Sequence, residues 1–398
     1  MKNQLNFRGN RQSQSSLSCV VFLFLLVLLA ILAAACDKET PLAVDDQSSL
    51  PMAGRVSSLE MSKAQSIAIA SVREIGAIGK PPSVSARDGG ASAIIGGQLL
   101  WYFGDTFFNP PSVNGKSFFC NTAALANPTL PLVVSEPLDA NGAPAAQFVP
   151  FTATEQVYND STKNANDRYA LWPGTVLPDG KSGGLVFYAD WKIQPGGGSL
   201  NYQFIGTGLA QVKKGKTVAA RLSGFLFNAP DPIFDKAFIL GSYVYVYGNI
   251  KNNNHDVVVA RVPLTQVKKR TAYSFWDGAN WVAAVSQAKP ILYGIPGAVS
   301  VSYNAYLKQY LAIYSYSVSF GSSRILTEKI SMSTANSPEG PWSIPVDVFT
   351  GRTSTKGYNY AGREHPELAQ SNGQTIFITY YNPQGTLKGE LYLVEVKF

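Results

Sequence analysis

Two aspartates stand in ARDGGASAIIGGQLLWYFGDTFF, residues 86–108, a stretch otherwise rich in small and apolar side chains. With Gly96-Gly97 as a two-residue hairpin turn, Ile95 faces Gln98 and, counting outward, Asp88 faces Asp105. Directly opposed residues share a face with Cβ atoms about 4.5–5.5 Å apart, and like charges so placed are destabilising. A purely structural hairpin has little reason to keep that pair. A cleft that splits glycosidic bonds does, because repulsion and desolvation raise one carboxyl pKa and give the two groups different protonation states. Asp88 is then the base or nucleophile, and Asp105 sets its pKa and orientation.

The separation is short for an acid and a base on opposite sides of a sugar ring, which lie about 6.5–9.5 Å apart in inverting enzymes, so that route needs a third carboxylate. GREHPELAQSNGQTIFITYYN offers Glu364 and Glu367 beside Arg363 and His365. In an extended strand their odd spacing sends them to opposite faces, so only one faces a central pocket, and Pro366 marks a strand entry or edge. Asp235, in APDPIFDKAF, precedes a strand as Asp88 does and is expected to tune an acid or bind a sugar hydroxyl. Trp172 and Tyr360 offer flat apolar faces for sugar rings, and His365 offers a hydrogen bond. Arg87 and Asn121, in ARDGG and FFCN, are expected to contact substrate as well.

The elements that must position these groups are strands. A short helix is expected at Ser62 to Gly76, after which helical periodicity fades and apolar runs recur between glycine, proline and asparagine clusters. Strand pairs are read at ASAIIGGQLLWYFGD, GTVLPDGKSGGLVFYADW, KAFILGSYVYVYGN, VSVSYNAYLKQYLAIYSYS and PELAQSNGQTIFITYYN. Five similar hairpins at intervals of about 55–90 residues suit an all-β fold, a five-bladed β-propeller, in which one blade cannot bury both faces alone.

ARDGG followed by GGQLLWYFGDTF and FFCNTAAL resembles the opening blade of the bacterial domain-of-unknown-function family 4185. YVYVYGN, VVVARVPLTQV, TAYSFWDGANW, ANSPEGPWS and HPELAQSNGQTIFITYYN resemble its later blades in order, from about Val84 to the C-terminus. The resemblance implies a five-bladed propeller, related to endo-acting D-arabinofuranosidases and distantly to glycoside hydrolase family 43. It implies an arabinan-like, furanoside-containing polysaccharide as substrate. It also implies that an acidic residue of the HPE element faces the central pocket, which favours Glu367 as general acid, with Glu364 second.

The first 35 residues read as a targeting segment: Lys2, Arg8 and Arg11, an apolar run from Leu17 to Ala35, and small residues before Cys36. That is a lipoprotein-type cleavage site, with Cys36 lipidated, a flexible tether over residues 36–61 and the propeller over 62–398. The Asp-Lys-Glu after Cys36 resembles surface-export signals of Bacteroidetes lipoproteins, so a cell-envelope protein anchored in the outer membrane is expected. Cys120 is then the one free thiol of the folded body, expected to be a small buried side chain.

Removing the three basic leader residues takes the formal charge from +7 to +4. Lys268-Lys269-Arg270 and Lys213-Lys214 are the longest basic runs, too short to suggest nucleic acid. Two histidines and no clustered ligand spacing give no expectation of a catalytic metal, and no phosphate loop or dinucleotide fingerprint is present, so no cofactor is expected. A monomer is expected, with a polysaccharide or oligosaccharide as partner and the membrane reached through the lipid. The rival reading is a surface lipoprotein that binds glycan without turnover.

Overall fold

A computed structural model describes residues 67–162, 166–196, 199–252, 254–320, 323–385 and 387–398. The leader, Cys36, the tether and residues 62–66 lie outside the described residues. The chain divides into two compact units; one, Ser58–Pro195 with Leu200–Phe398, holds nearly all the described residues and is the unit described here.

The chain enters on β1 (Ser71–Ala77) and β2 (Val84–Arg87), then builds a first sheet from β3 (Ala91–Ile95) and β4 (Gln98–Phe103). β5 (Thr106–Phe108) and β6 (Phe118–Phe119) turn aside to pair with β2 before β7 (Thr122–Asn127) and β8 (Leu130–Ser135) complete the first sheet in the order β3-β4-β7-β8. The helix α1 (Ala153–Ser161) follows. A second sheet runs in sequence order through β9 (Arg168–Pro178), β10 (Gly183–Gly196), β11 (Ser199–Lys213) and β12 (Ala220–Asn228). The third uses β13 (Ile233–Leu240), β14 (Tyr243–Asn249), β15 (Val257–Pro263), β16 (Ser274–Trp276) and β17 (Trp281–Val282). The fourth uses β18 (Val299–Asn304), β19 (Gln309–Phe320), β20 (Ser323–Ala335) and β21 (Val346–Thr350). The last is β22 (Tyr360–Glu364), β23 (Thr375–Gly385) and β24 (Lys388–Lys397), closed on its outer edge by β1.

Among the described residues the chain thus forms five successive antiparallel meanders, and apolar side chains fill the spaces between neighbours. Tyr102 and Val186 share a cluster between the first and second sheets, and Phe187 and Val246 share one between the second and third. Tyr247 and Ala312 join the third to the fourth, and Leu311 and Ile378 the fourth to the fifth. Trp101 and Leu393 join the fifth back to the first. Each sheet buries both faces only because it has a neighbour on each side, the packing logic of a propeller-like fold.

The first hairpin keeps the register its turn dictates. Gly96 and Gly97 have φ of +55° and +81°, the left-handed conformations of a type I′ turn, and Ile95 pairs with Gln98 through to Ala91 with Tyr102. The same register resumes beyond an interruption, where Arg87 pairs with Thr106.

Three expectations need correction. Ser71–Ala77 is strand, not helix, because the free edge of β24 satisfies its backbone from Ser71 to Ala77. A helix forms instead at Ala153–Ser161, where Thr152 accepts from the Glu155 amide and Glu155 accepts from the Thr152 amide, a capping box. The inner partner of β23 is Tyr360–Glu364, whereas Pro366–Leu368 and Ser371–Gly373 are 3₁₀ turns.

Candidate active site

Asp88 and Asp105 occupy the interruption between two ladders, where the chain leaves the β2–β5 pair for the β3–β4 pair. The Asp88 amide donates to the Asp105 carbonyl at 2.7 Å, and the Gly104 amide donates to the Asp88 carbonyl at 2.7 Å. The ladder is interrupted here without an inserted residue, since Arg87–Thr106 and Ala91–Tyr102 keep one register on either side. A Cβ at Gly104 would meet the Asp88 carbonyl oxygen at 2.9 Å, so this crossing requires glycine.

Both aspartates line a cavity of about 210 Å³ with Trp172, Tyr102, Ala361 and Arg363. Desolvation and then the neighbouring Asp105 charge push the Asp88 carboxyl up to about 7, against a hydrogen bond from Tyr360 that favours its ionised form. Desolvation pushes Asp105 up to about 6, opposed by the Trp172 Nε1–H, which donates to its Oδ1 at 2.9 Å, and by Arg168, whose Nη2 stands 3.6 Å from its Oδ2. One aspartate thus carries a donor and a cation that hold its charge, while the other has a phenol and its partner's negative field. Asp105 therefore loses its proton at lower pH than Asp88, and between about 6 and about 7 the proton that the pair keeps is favoured on Asp88.

An aromatic surface adjoins the pair. The Trp172 ring lies 5.6 Å from Trp191 and 6.0 Å from Tyr202, which is 39% exposed, and Tyr360 packs 6.0 Å from Tyr358. Burial raises the Tyr202 pKa, and the charges of Arg168, Asp105 and Asp88 all reach its hydroxyl.

A second cavity, of about 270 Å³, follows the first along the same strands. β3 gives Ala91 to both and Ser92–Ile94 to the second; β9 gives Trp172 to the first and Thr175–Pro178 to the second. Ala91, Tyr102 and Arg363 wall both, and Arg363 Nη1 donates to the Gly174 carbonyl at 2.6 Å. Glu364 and Glu367 line the second cavity only. Burial pushes the Glu364 carboxyl up to about 7, against a 2.6 Å hydrogen bond from Ser302 Oγ. Glu367 accepts from Ser92 Oγ. Both glutamates face this cavity because Glu367 sits on the Pro366–Leu368 turn, which cancels the strand alternation behind the one-face expectation.

Trp172 and Tyr360, read from sequence as faces for sugar rings, hydrogen-bond Asp105 and Asp88, and Glu367 does not share their cavity. The structure places Arg87, Asn121, Asp235 and His365 as buried groups with protein partners. Arg87 is buried, ion-paired with Glu136 and stacked 4.6 Å from the Phe103 ring. Asn121 donates to the carbonyls of Leu171 and Val149, at 2.9 and 3.2 Å, and accepts from the Val149 amide at 2.7 Å. Asp235 is buried 2.6 Å from Lys236 Nζ, and His365 bridges Ser92 and Thr379 at 2.6 and 2.7 Å. Alternation explains Arg87: one step from Asp88, it points to the other side. Cys120 is buried with its thiol donating to Gln147 Oε1 at 3.1 Å, and desolvation pushes its pKa up to about 12.

Arg168, Tyr202 and Arg363 were not expected at the site. Arg168 opens β9 and could have been found from RYALWPG, four residues before Trp172. Tyr202 comes from the third strand of its sheet and reaches the pair only through tertiary packing; no local signal marks it.

A propeller-like all-β body with a proton-sharing aspartate pair at the entry to its inner strands is the class that fold and site define. Residues 216–385 match the model of the family described as domain of unknown function (DUF4185), a span that starts after the ARDGG and FGDTF motifs. Among solved structures, a candidate hydrolase from Bacteroides ovatus ATCC 8483 superposes with a TM-score of 0.57 at 16% identity, covering 80% of this chain and 87% of that one. The catalytic domain of a Coprinopsis cinerea GH62 alpha-L-arabinofuranosidase has a TM-score of 0.44 at 11% identity over 81% and 95% of the two chains. An exo-beta-1,3-galactanase from Phanerochaete chrysosporium has a TM-score of 0.48 at 12% identity over 81% and 63%. No curated protein sequence gives a match. At these identities the likeness is one of fold.

Proposed function

We propose that this chain is a glycoside hydrolase of the cell envelope, acting on a furanoside-containing, arabinan-like polysaccharide. The observation that carries the reading is the Asp88–Asp105 pair, two carboxyls with raised pKa values in one cavity beside an aromatic surface. In this reading the five meanders are the blades of a five-bladed propeller, and the cavity at its strand-entry end takes the scissile bond.

The chemistry follows from the different neighbours of the two carboxyls. Asp105, held ionised by Arg168 and Trp172, attacks the anomeric carbon. Asp88 delivers its proton to the departing oxygen and then takes one from the water that releases the sugar. Directly opposed strand residues have Cβ atoms about 4.5–5.5 Å apart, short of the 6.5–9.5 Å between the carboxyls of inverting enzymes, so in this reading the anomeric configuration is kept. This exchanges the roles expected from sequence and leaves Glu367 out of the bond-breaking step, because it faces the next cavity. Trp172, Tyr202 and Tyr360 supply flat faces for the sugar rings. The lipid on Cys36 and the outer-membrane location remain part of the proposal, supported by the leader sequence alone.

Reducing-end release from arabinans, galactans and other furanoside polymers tests the reading, with Asp88→Asn and Asp105→Asn beside the parent. Release by the parent alone supports it. Polymer binding without release by any of the three would assign the chain to glycan capture instead.

A further inference from the structure

The two short basic runs of the sequence meet on one groove. Lys213 ends β11 and Lys214 follows it, while Lys268 and Lys269 follow β15; all four line a groove of about 1050 Å³ between the second and third sheets. Leu177, Leu185, Val212 and Val267 line it too, and Ile239 and Leu264 reach solvent at 39% and 42% exposure. All four lysines are exposed, and among the described residues none has an ion pair, whereas other surface cations do, as in Lys329–Asp347 and Arg352–Glu74. Asp179, an acid on the same wall, is held by its own turn, its Oδ1 accepting from the Lys181 and Gly183 amides at 2.8 and 3.0 Å. Arg270, the third member of its run, is turned to Asp231 at 3.2 Å and to the Phe227 ring.

Four unpaired cations in one concavity repel one another and create a positive field that an anion relieves. The groove shares Leu177, Pro178 and Ile239 with the second cavity, and none of its lining residues lines the cavity of Asp88 and Asp105. A concave site lined by Leu177, Leu185, Val212 and Val267 as well as lysines suits a polymer strand better than a planar bilayer. Lysines, unlike arginines, impose no bidentate geometry and tolerate varied spacing of carboxylates.

We propose that this groove binds a carboxylate-bearing polysaccharide, a polyuronate segment, at a site separate from the aspartate pair. The identity of the polyanion as a glycan rests on the hydrolase reading above; the positive groove does not.

The test is affinity electrophoresis of the full-length chain through gels containing polygalacturonate, with the Lys213→Glu/Lys268→Glu double variant and Asp88→Asn beside it. The parent and Asp88→Asn should be retarded equally. The double variant, with unchanged Tm, should need at least about tenfold more polymer for half-retardation, since each reversal replaces an attraction by a repulsion. High salt should remove the parent's retardation. No retardation of the parent, or equal retardation of the double variant, overturns the site. Retardation by polyglutamate as strong as by polygalacturonate, or binding to phosphatidylglycerol vesicles in its place, overturns the glycan assignment. Furanoside hydrolysis without this binding defeats the groove alone; binding without hydrolysis defeats the catalytic reading alone.

Discussion

The Asp88 amide donates to the Asp105 carbonyl, so the two carboxyls that share a cavity spring from backbones that are already paired. Their mutual field is fixed by the fold and is present before any substrate arrives. A proton is the cheapest way to relieve it, and the neighbours decide where that proton sits.

The first consequence is a bell-shaped pH profile. Asp105 must be ionised and Asp88 protonated, and their carboxyls stand near about 6 and about 7. kcat/KM should peak between those values and fall about tenfold per pH unit beyond each limb. Initial rates on a furanoside oligomer from pH 4 to 9 measure it. A profile that stays flat from pH 7 to 9 removes Asp88 as the proton donor.

The same shift costs stability. Asp88 rises from the ordinary carboxylate range to about 7, so the native carboxyl holds its proton more tightly than the unfolded chain does. Stability therefore falls as pH rises from about 4 to about 7, the sign expected for a raised carboxyl. Asp88→Asn removes the titration and should raise Tm by about 2–4 °C at pH 8 while giving no gain at pH 4. Thermal unfolding at the two pH values decides it; a variant that loses stability at pH 8 contradicts the electrostatic account.

The hairpin that carries this pair was legible because Gly96-Gly97 leaves few choices of turn, and the turn fixes every pairing out to Ala91 and Tyr102. Past that point the ladder breaks, yet the opposition of Asp88 and Asp105 survives because Arg87 and Thr106 resume the register. The expected opposite facing of Glu364 and Glu367 fails for the opposite reason: it assumes an extended chain, and Pro366 starts a 3₁₀ turn. Arg87, one step from Asp88, faces the other side of its strand, where it pairs with Glu136. Tyr202 depends on the packing of β11 beside β9 and β10, which no local pattern encodes.

Trp172 offers a separable test, since its indole N–H and its ring do different work. Trp172→Phe keeps a flat face against Trp191 and Tyr202 but removes the donor to Asp105 Oδ1. The ionised form of Asp105 loses support, so the acid limb should move up by on the order of one pH unit while the basic limb stays. Comparing pH profiles of the variant and the parent reads this directly. A uniform drop at every pH would reduce the role of Trp172 to packing.

Glu367 separates the two possible routes. It accepts from Ser92 in the second cavity, beyond Arg363 and Tyr102, and does not line the cavity that holds Asp88. Glu367→Gln should keep at least about half of kcat/KM, whereas Asp88→Asn should lose about 10²–10⁴-fold, the worth of a general acid. Proton NMR of the first product should show the anomeric configuration retained, as a two-carboxylate mechanism at short spacing requires. If Glu367→Gln falls as far as Asp88→Asn and the product is inverted, the acid works from the second cavity and a water must stand between it and the aspartates. The substrate would then have to pass the Arg363 guanidinium, and Arg363→Ala would widen that passage.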